Sequence, residues 1–187
     1  MKKGTIAIVV VVAILLILVF SVVGKYNQLV TLNENVEASL SQIDNQLQRR
    51  NDLIPNLVET VKGYASHEEE IFTSIADARA RLIGGGSMED MAQASDELSG
   101  SLRRLLAISE SYPELKANEN FINLSTELAG TENRIAVARR DYNNTAREYN
   151  TLIRRFPTVI IANMFGFERY DYFEASQGAA EVPGVQF

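Results

Sequence analysis

The sequence predicts an all-α protein: an N-terminal transmembrane helix followed by an antiparallel up-and-down helical bundle of the four-helix type. Three observations predict it. Fifteen of the eighteen residues from Ile6 to Val23 are Ile, Val, Leu or Phe, and none is charged. Beyond them, apolar residues recur at steps of three and four over most of the chain, the period of one helix face. Glycine and proline, 11 and 4 of 187 residues, fall in a few clusters that interrupt this pattern. The expected organisation is an anchor over residues 1–25, a helical domain over 26–174 and a flexible tail over 175–187.

The anchor comes first. Gly4 to Gly24 supplies 21 positions, enough to cross a hydrocarbon core of about 30 Å. Its branched and aromatic residues together favour insertion by roughly 5–9 kcal/mol, with no opposing charge. A cleaved signal peptide would have a shorter apolar region and a small-x-small cleavage site. The run ends Ser21-Val22-Val23-Gly24-Lys25 and offers no such site. Lys2 and Lys3 precede the span and Lys25 alone follows closely. The positive-inside rule then keeps the N-terminus in the cytoplasm and the bundle on the far side. The chain has no cysteine, which excludes disulfides and lipoprotein acylation.

Apart from Lys2, Lys3 and Lys25, 15 basic residues face 24 acidic ones, a formal charge of −9. Such a body repels nucleic acid and anionic lipid at long range, so no nucleic-acid partner is expected.

The first heptad seam runs Leu29, Val36, Leu40, Ile43, Leu47, Ile54, Leu57, Val61, Tyr64, Ile71, Ile75, Ala78 and Leu82, with Asn33, Arg50 and Glu68 as its polar exceptions. It is coiled-coil-like and stops at Gly84-Gly85-Gly86-Ser87, which ends one helix and caps the next. A second helix is expected from Met88 to Ser111, with Met91, Leu98, Leu102 and Leu105 on its face, broken by Tyr112-Pro113. A third starts near Asn118 and carries Phe121, Leu124, Leu128, Thr131, Ile135, Ala138, Tyr142, Thr145, Tyr149, Leu152 and Phe156. Pro157 ends it, and Thr158 to Phe165 can form one more short helix.

Pro55 leaves two readings. Asp52 can cap a new helix with Pro55 in its first turn, so that four antiparallel helices close a bundle. Alternatively, the first two segments form one long helix, kinked at Pro55 and running to residue 83, because the heptad phase crosses Pro55 without a slip. In the second case the membrane-proximal seam, Leu29 to Leu47, lacks a partner within the chain unless the third helix doubles back on it. An open seam binds something, most simply the same seam of another copy.

The sequence is poor in catalytic groups. His67, the one histidine, sits in His67-Glu68-Glu69-Glu70; a zinc-protease helix needs a second histidine four residues on, where this chain has Ile71. A di-iron bundle needs two Glu-x-x-His pairs. The Gly84–Gly86 run lacks the Lys-Ser/Thr of a phosphate-binding loop. No catalytic, metal or cofactor-binding residue is assigned, and no cofactor or small-molecule substrate is expected. His67 is read as part of a solvated helix face. Arg50 lies on the seam beside Arg49, Asn51 and Asp52; a buried arginine needs a carboxylate, and Glu132, Glu68 and Asp52 are the candidates. Tyr142-Asn143 and Tyr149-Asn150 lie one heptad apart and read as packing, whereas Tyr26 follows Lys25 at the end of the span and suits an interfacial anchor. Phe165, Phe167, Tyr170, Tyr172 and Phe173 crowd one short segment. They pack on the bundle end, or dock to a partner or to the headgroup layer.

The stretch from Ile43 to Tyr64, with Gln46-Leu47-Gln48-Arg49-Arg50-Asn51-Asp52-Leu53-Ile54-Pro55-Asn56-Leu57, resembles the signature of the bacterial LemA family. So do Tyr112-Pro113-Glu114-Leu115-Lys116-Ala117, Thr131-Glu132 with Arg134-Ile135-Ala136, Ala138-Arg139-Arg140 with Tyr142-Asn143, and Tyr149-Asn150 before Phe156-Pro157. The resemblance covers about Tyr26 to Glu174. Many relatives carry a tryptophan shortly before the Gln-Ile-Asp stretch; this chain has Ser39 or Leu40 there. The resemblance implies a membrane-anchored antiparallel helical bundle of the bacterial envelope with no established activity, often encoded near membrane zinc proteases, with one branch tied to magnetosome membranes.

The expected function is therefore a non-enzymatic scaffold or adaptor, single-pass in the bacterial inner membrane. It would act by helix–helix self-association into a homo-oligomer, or by docking to another envelope protein such as a membrane protease. Leu29, Val36, Leu40, Phe165, Phe167, Tyr172 and Phe173 are the expected contact residues. Arg49, Arg50, Asp52 and Pro55 are the expected hinge and ion-pair residues. The alternative is a membrane-linked sensor that transmits a signal through a bistable kink at Pro55.

Overall fold

A computed structural model describes residues 3–173; the expected tail over 175–187 lies outside the described residues. Among the described residues, six α-helices occur in the order α1 (Lys3–Lys62), α2 (Glu69–Gly84), α3 (Met88–Ile108), α4 (Pro113–Lys116), α5 (Glu119–Ile153) and α6 (Thr158–Phe165), with a 3-10 turn over Ser109–Ser111. No strand occurs among the described residues. The all-α class stands.

The apolar run forms the first part of α1, and its residues 8–24 are all exposed. The helix is long and apolar enough there to cross a membrane. It then continues through Pro55 to Lys62 without interruption. Asp52 therefore begins no new helix, and the turn at Asn51-Asp52 is ruled out.

The other reading is corrected at its far end. The helix does not reach residue 83; it stops at Lys62, and residues 63–68 connect it to α2. Gly63 is a costly residue inside a helix, and the amides of Tyr64 and Ala65 close the last turn on the Val61 carbonyl. Glu69 and Glu70 occupy the first turn of α2, where the helix dipole favours negative charge. His67 accordingly lies exposed in this connection, not on a helix face. The heptad phase survives the break because Ile75, Ala78 and Leu82 also face a core.

The remaining breaks fall where the punctuation placed them. Gly85 and Gly86 take positive φ of 70° and 158°. Ser87 then caps α3: its Oγ accepts from the Asp90 amide at 3.1 Å, and its own amide donates to Asp90 Oδ2 at 2.9 Å. Pro113 opens α4 in the first turn, where its missing N–H does no harm. The Asn118 side chain accepts from the Phe121 amide at the start of α5. Gly166, in the left-handed region at φ 73°, ends α6.

The chain forms two compact units. In the unit made of residues 40–141 with Tyr172 and Phe173, the buried residues include Ile43, Ile54, Leu57 and Val61 of α1, Ile75 and Ala78 of α2, Leu98, Leu102 and Leu105 of α3, Leu115 of α4, and Phe121, Leu128 and Ile135 of α5. In the unit made of residues up to 39 with 142–171, Leu29 and Val36 of α1 are buried with Tyr142, Ala146, Tyr149 and Ile153 of α5 and Ile161 and Ala162 of α6. The third helix thus doubles back on the membrane-proximal seam. Its own register ends before the expected Phe156: α5 stops at Ile153, and Phe156 is 81% exposed.

Candidate functional site

Among the described residues Arg50 is the largest fully buried side chain, 2% exposed. A seam position on α1 carries it inward, where α3 and α5 supply its partners. Its Nη2 donates to Ser99 Oγ at 2.8 Å, and its Nη1 lies 3.1 Å from Glu132 Oε2. Ser99 Oγ is 2.9 Å from the Ser95 carbonyl and 3.0 Å from Glu132 Oε2, so its single proton serves one acceptor at a time. Of the three carboxylates expected for Arg50, Glu132 is the partner. Burial pushes the guanidinium below its ordinary pKa, and the Glu132 charge opposes that shift; an arginine keeps its proton regardless.

A second arginine extends the network. Arg139 Nη1 donates to Asp96 Oδ1 at 3.0 Å, and its guanidinium lies 5.4 Å from the Phe173 ring centroid. Arg79 Nε donates to Asn51 Oδ1 at 2.7 Å, tying α2 to α1. Arg49, half exposed, pairs with Glu127 at 2.8 Å. Asp52 accepts from Gln48 on its own helix. These contacts link four helical segments through polar pairs at fixed heights, which sets their register. Among the described residues, no group of three or more His, Cys, Asp or Glu is placed to hold a metal ion.

In the other unit, Asn150 holds the chain after α6. Its Nδ2 donates to the Tyr170 carbonyl at 2.8 Å, and its Oδ1 accepts the Tyr170 amide at 2.9 Å. Tyr170 Oη donates to Asn33 Oδ1 at 3.0 Å and lies 3.2 Å from Glu37 Oε1. Burial first, then the Glu37 charge, pushes the Tyr170 phenol up to about 12. Tyr142 Oη donates to the Asp171 carbonyl at 2.9 Å. Tyr26 meets the rings of Phe165 and Phe167 at centroid distances of 4.8 and 5.9 Å.

The expected contact residues separate accordingly. Leu29 and Val36 are fully buried and Phe173 nearly so, covered by the chain's own segments. Leu40, Phe167 and Tyr172 are half-buried, and Phe165 is 52% exposed. The sequence reading missed the Arg139–Asp96 pair and the clasp of Asn150 on Tyr170. The Tyr149-Asn150 dipeptide was visible, but its carboxamide partner lies twenty residues on, beyond any helical period.

Taken together, these features define an all-α protein in which one helix is bare and apolar near the N-terminus and packed farther on. The chain belongs to the LemA family, whose profile matches residues 39–187. It is 28% identical to magnetosome protein MamQ of Magnetospirillum gryphiswaldense, over 98% of this chain and 77% of that protein. The same identity holds for magnetosome protein MamQ 1 of Paramagnetospirillum magneticum, over 97% and 76%. Protein LemA of Metamycoplasma hominis is 26% identical over 84% of this chain and 73% of its own length.

Proposed function

We propose that this protein is a non-enzymatic, single-pass scaffold of the bacterial inner membrane, with its N-terminus in the cytoplasm. On this reading residues 4–24 span the bilayer and residues 40–141 form a four-helix bundle. The body acts by self-association or by docking to another envelope membrane protein. One observation carries the proposal: α1 runs unbroken from a stretch with no covering protein, residues 8–24, into the buried positions Leu29 to Val61. Anchor and body are thus one element, and the apolar end has no solvent-compatible alternative to lipid. The names of the relatives, LemA and magnetosome protein MamQ, fit a structural role and describe no reaction.

Cross-linking in intact cells tests the proposal. The expected result is a defined multimer or a defined heterologous adduct. A chain that stays monomeric and unlinked in native membranes contradicts it.

A further inference from the structure

Helix α6 is apolar on both sides but buried on one. Thr158, Ile161 and Ala162 face inward at 4% exposure or less, whereas Ile160, Met164 and Phe165 are 57%, 63% and 52% exposed. Phe156, immediately before it, is 81% exposed. These four side chains form an apolar face that this unit leaves uncovered. A surface helix of a water-soluble body turns a polar face outward; the outward face of α6 is apolar except for Asn163.

Its position identifies what covers it. The rings of Phe165 and Phe167 pack on Tyr26, which stands two residues past Gly24, about 3 Å of helix rise beyond the end of the apolar run. The eight residues of α6 extend only about 12 Å, so the whole helix lies near the level where the span meets water. The charges around it have the complementary sign. Arg154 and Arg155, both exposed, precede Phe156, and exposed Arg169 follows α6, against exposed Glu168 and Asp171; Lys25 stands next to Tyr26 on α1. Elsewhere the body is strongly acidic. An apolar face bordered by arginine at the end of a membrane span matches an interfacial helix, with side chains in the acyl boundary and cations at the phosphates.

We propose that Phe156 and α6 form a second contact with the bilayer that α1 crosses, lying in the interface beside the end of the span. This rests on the reading of residues 4–24 as a span, and the test separates the two.

The chain contains no tryptophan, so single substitutions report without background. Full-length Ile160→Trp, Met164→Trp, Leu15→Trp and Asn35→Trp, all at exposed positions, are reconstituted in vesicles of three parts phosphatidylcholine to one part phosphatidylglycerol, with brominated lipids as quenchers. The expected result is blue-shifted emission at 160 and 164, quenched several-fold more than at 35 and most by bromine near the headgroup, with Leu15→Trp quenched from the deep chain positions. Quenching at 15 with none above the Asn35 level at 160 and 164 overturns the interfacial helix and leaves the span intact. Absence of quenching at 15 overturns both. Emission at 160 and 164 shielded from brominated lipid and from aqueous iodide alike means a protein covers the face, most simply a second copy, and also overturns the proposal.

Discussion

The Arg50–Glu132 pair yields an asymmetry that can be measured. Arg50 is 2% exposed and Glu132 47%, so the two charges are not equivalent. Replacing Glu132 by Gln leaves a buried cation with Ser99 and the more distant Asp96 as its support. Orphaning one member of a fully buried pair costs about 3–5 kcal/mol. Glu132 is half in water and already screened, which brings the loss to about 2–3 kcal/mol. Replacing Arg50 by Met instead keeps most of the volume, removes the desolvated charge and frees Glu132 to solvent. Ser99 retains the Ser95 carbonyl. The net change is within about 1 kcal/mol of zero. Urea unfolding of the detergent-solubilised full chain, followed by far-UV circular dichroism, separates the two variants. With a denaturant slope of about 2 kcal/mol per molar, Glu132→Gln unfolds about 1 M earlier than Arg50→Met. If Arg50→Met is the less stable of the two, the pair is not a desolvated cation held by its carboxylate, and the reasoning fails.

Three further outcomes are expected. Pro55→Ala restores an amide inside α1 and removes a ring from a helix interior, so it raises the unfolding free energy by up to about 3 kcal/mol; if it instead changes cross-linking partners at unchanged stability, Pro55 acts as a switch rather than a tolerated defect. Asn150→Ala leaves the Tyr170 amide and carbonyl without their partner and lowers stability by about 2–3 kcal/mol, and proteolysis should then begin in residues 166–173. The Tyr170 phenol, raised from its ordinary 10 to about 12, is the better proton binder in the folded state, so its contribution is present below pH 10 and lost between pH 10 and 12; a pH series of melting curves shows this decline in the native chain and a shallower one in Tyr170→Phe.

The sequence and the structure agree most closely where local chemistry decides. The bare apolar run follows from its composition alone, and the glycine pair before the Ser87 cap, the break at Tyr112-Pro113 and the short helix after Pro157 follow from a residue's own backbone preference. Arg50 could be recognised as a seam cation needing a carboxylate, but three acids satisfied the pattern and only the packing of α5 on α1 selects Glu132. The break at Gly63 was hidden because heptad spacing is blind to chain direction: Ile71, Ile75 and Ala78 keep the phase although α2 is a separate helix packed on α1 and α3. Period alone likewise extended α5 to Phe156, where the helix had already ended. Burial of Leu29 and Val36 depends on packing against residues more than a hundred positions away in sequence, where Ser39 Oγ lies 3.4 Å from Thr145 Oγ1, and no local pattern carries that information.

The central claim is that α1 joins lipid and a packed helical body in one continuous element. Alkaline carbonate extraction of native membranes addresses it most directly, with the full chain beside a variant lacking residues 4–24. The full chain should remain in the membrane pellet and the shortened one should be released while keeping its helical spectrum. Release of the full chain, or loss of helicity in the shortened one, would contradict the account.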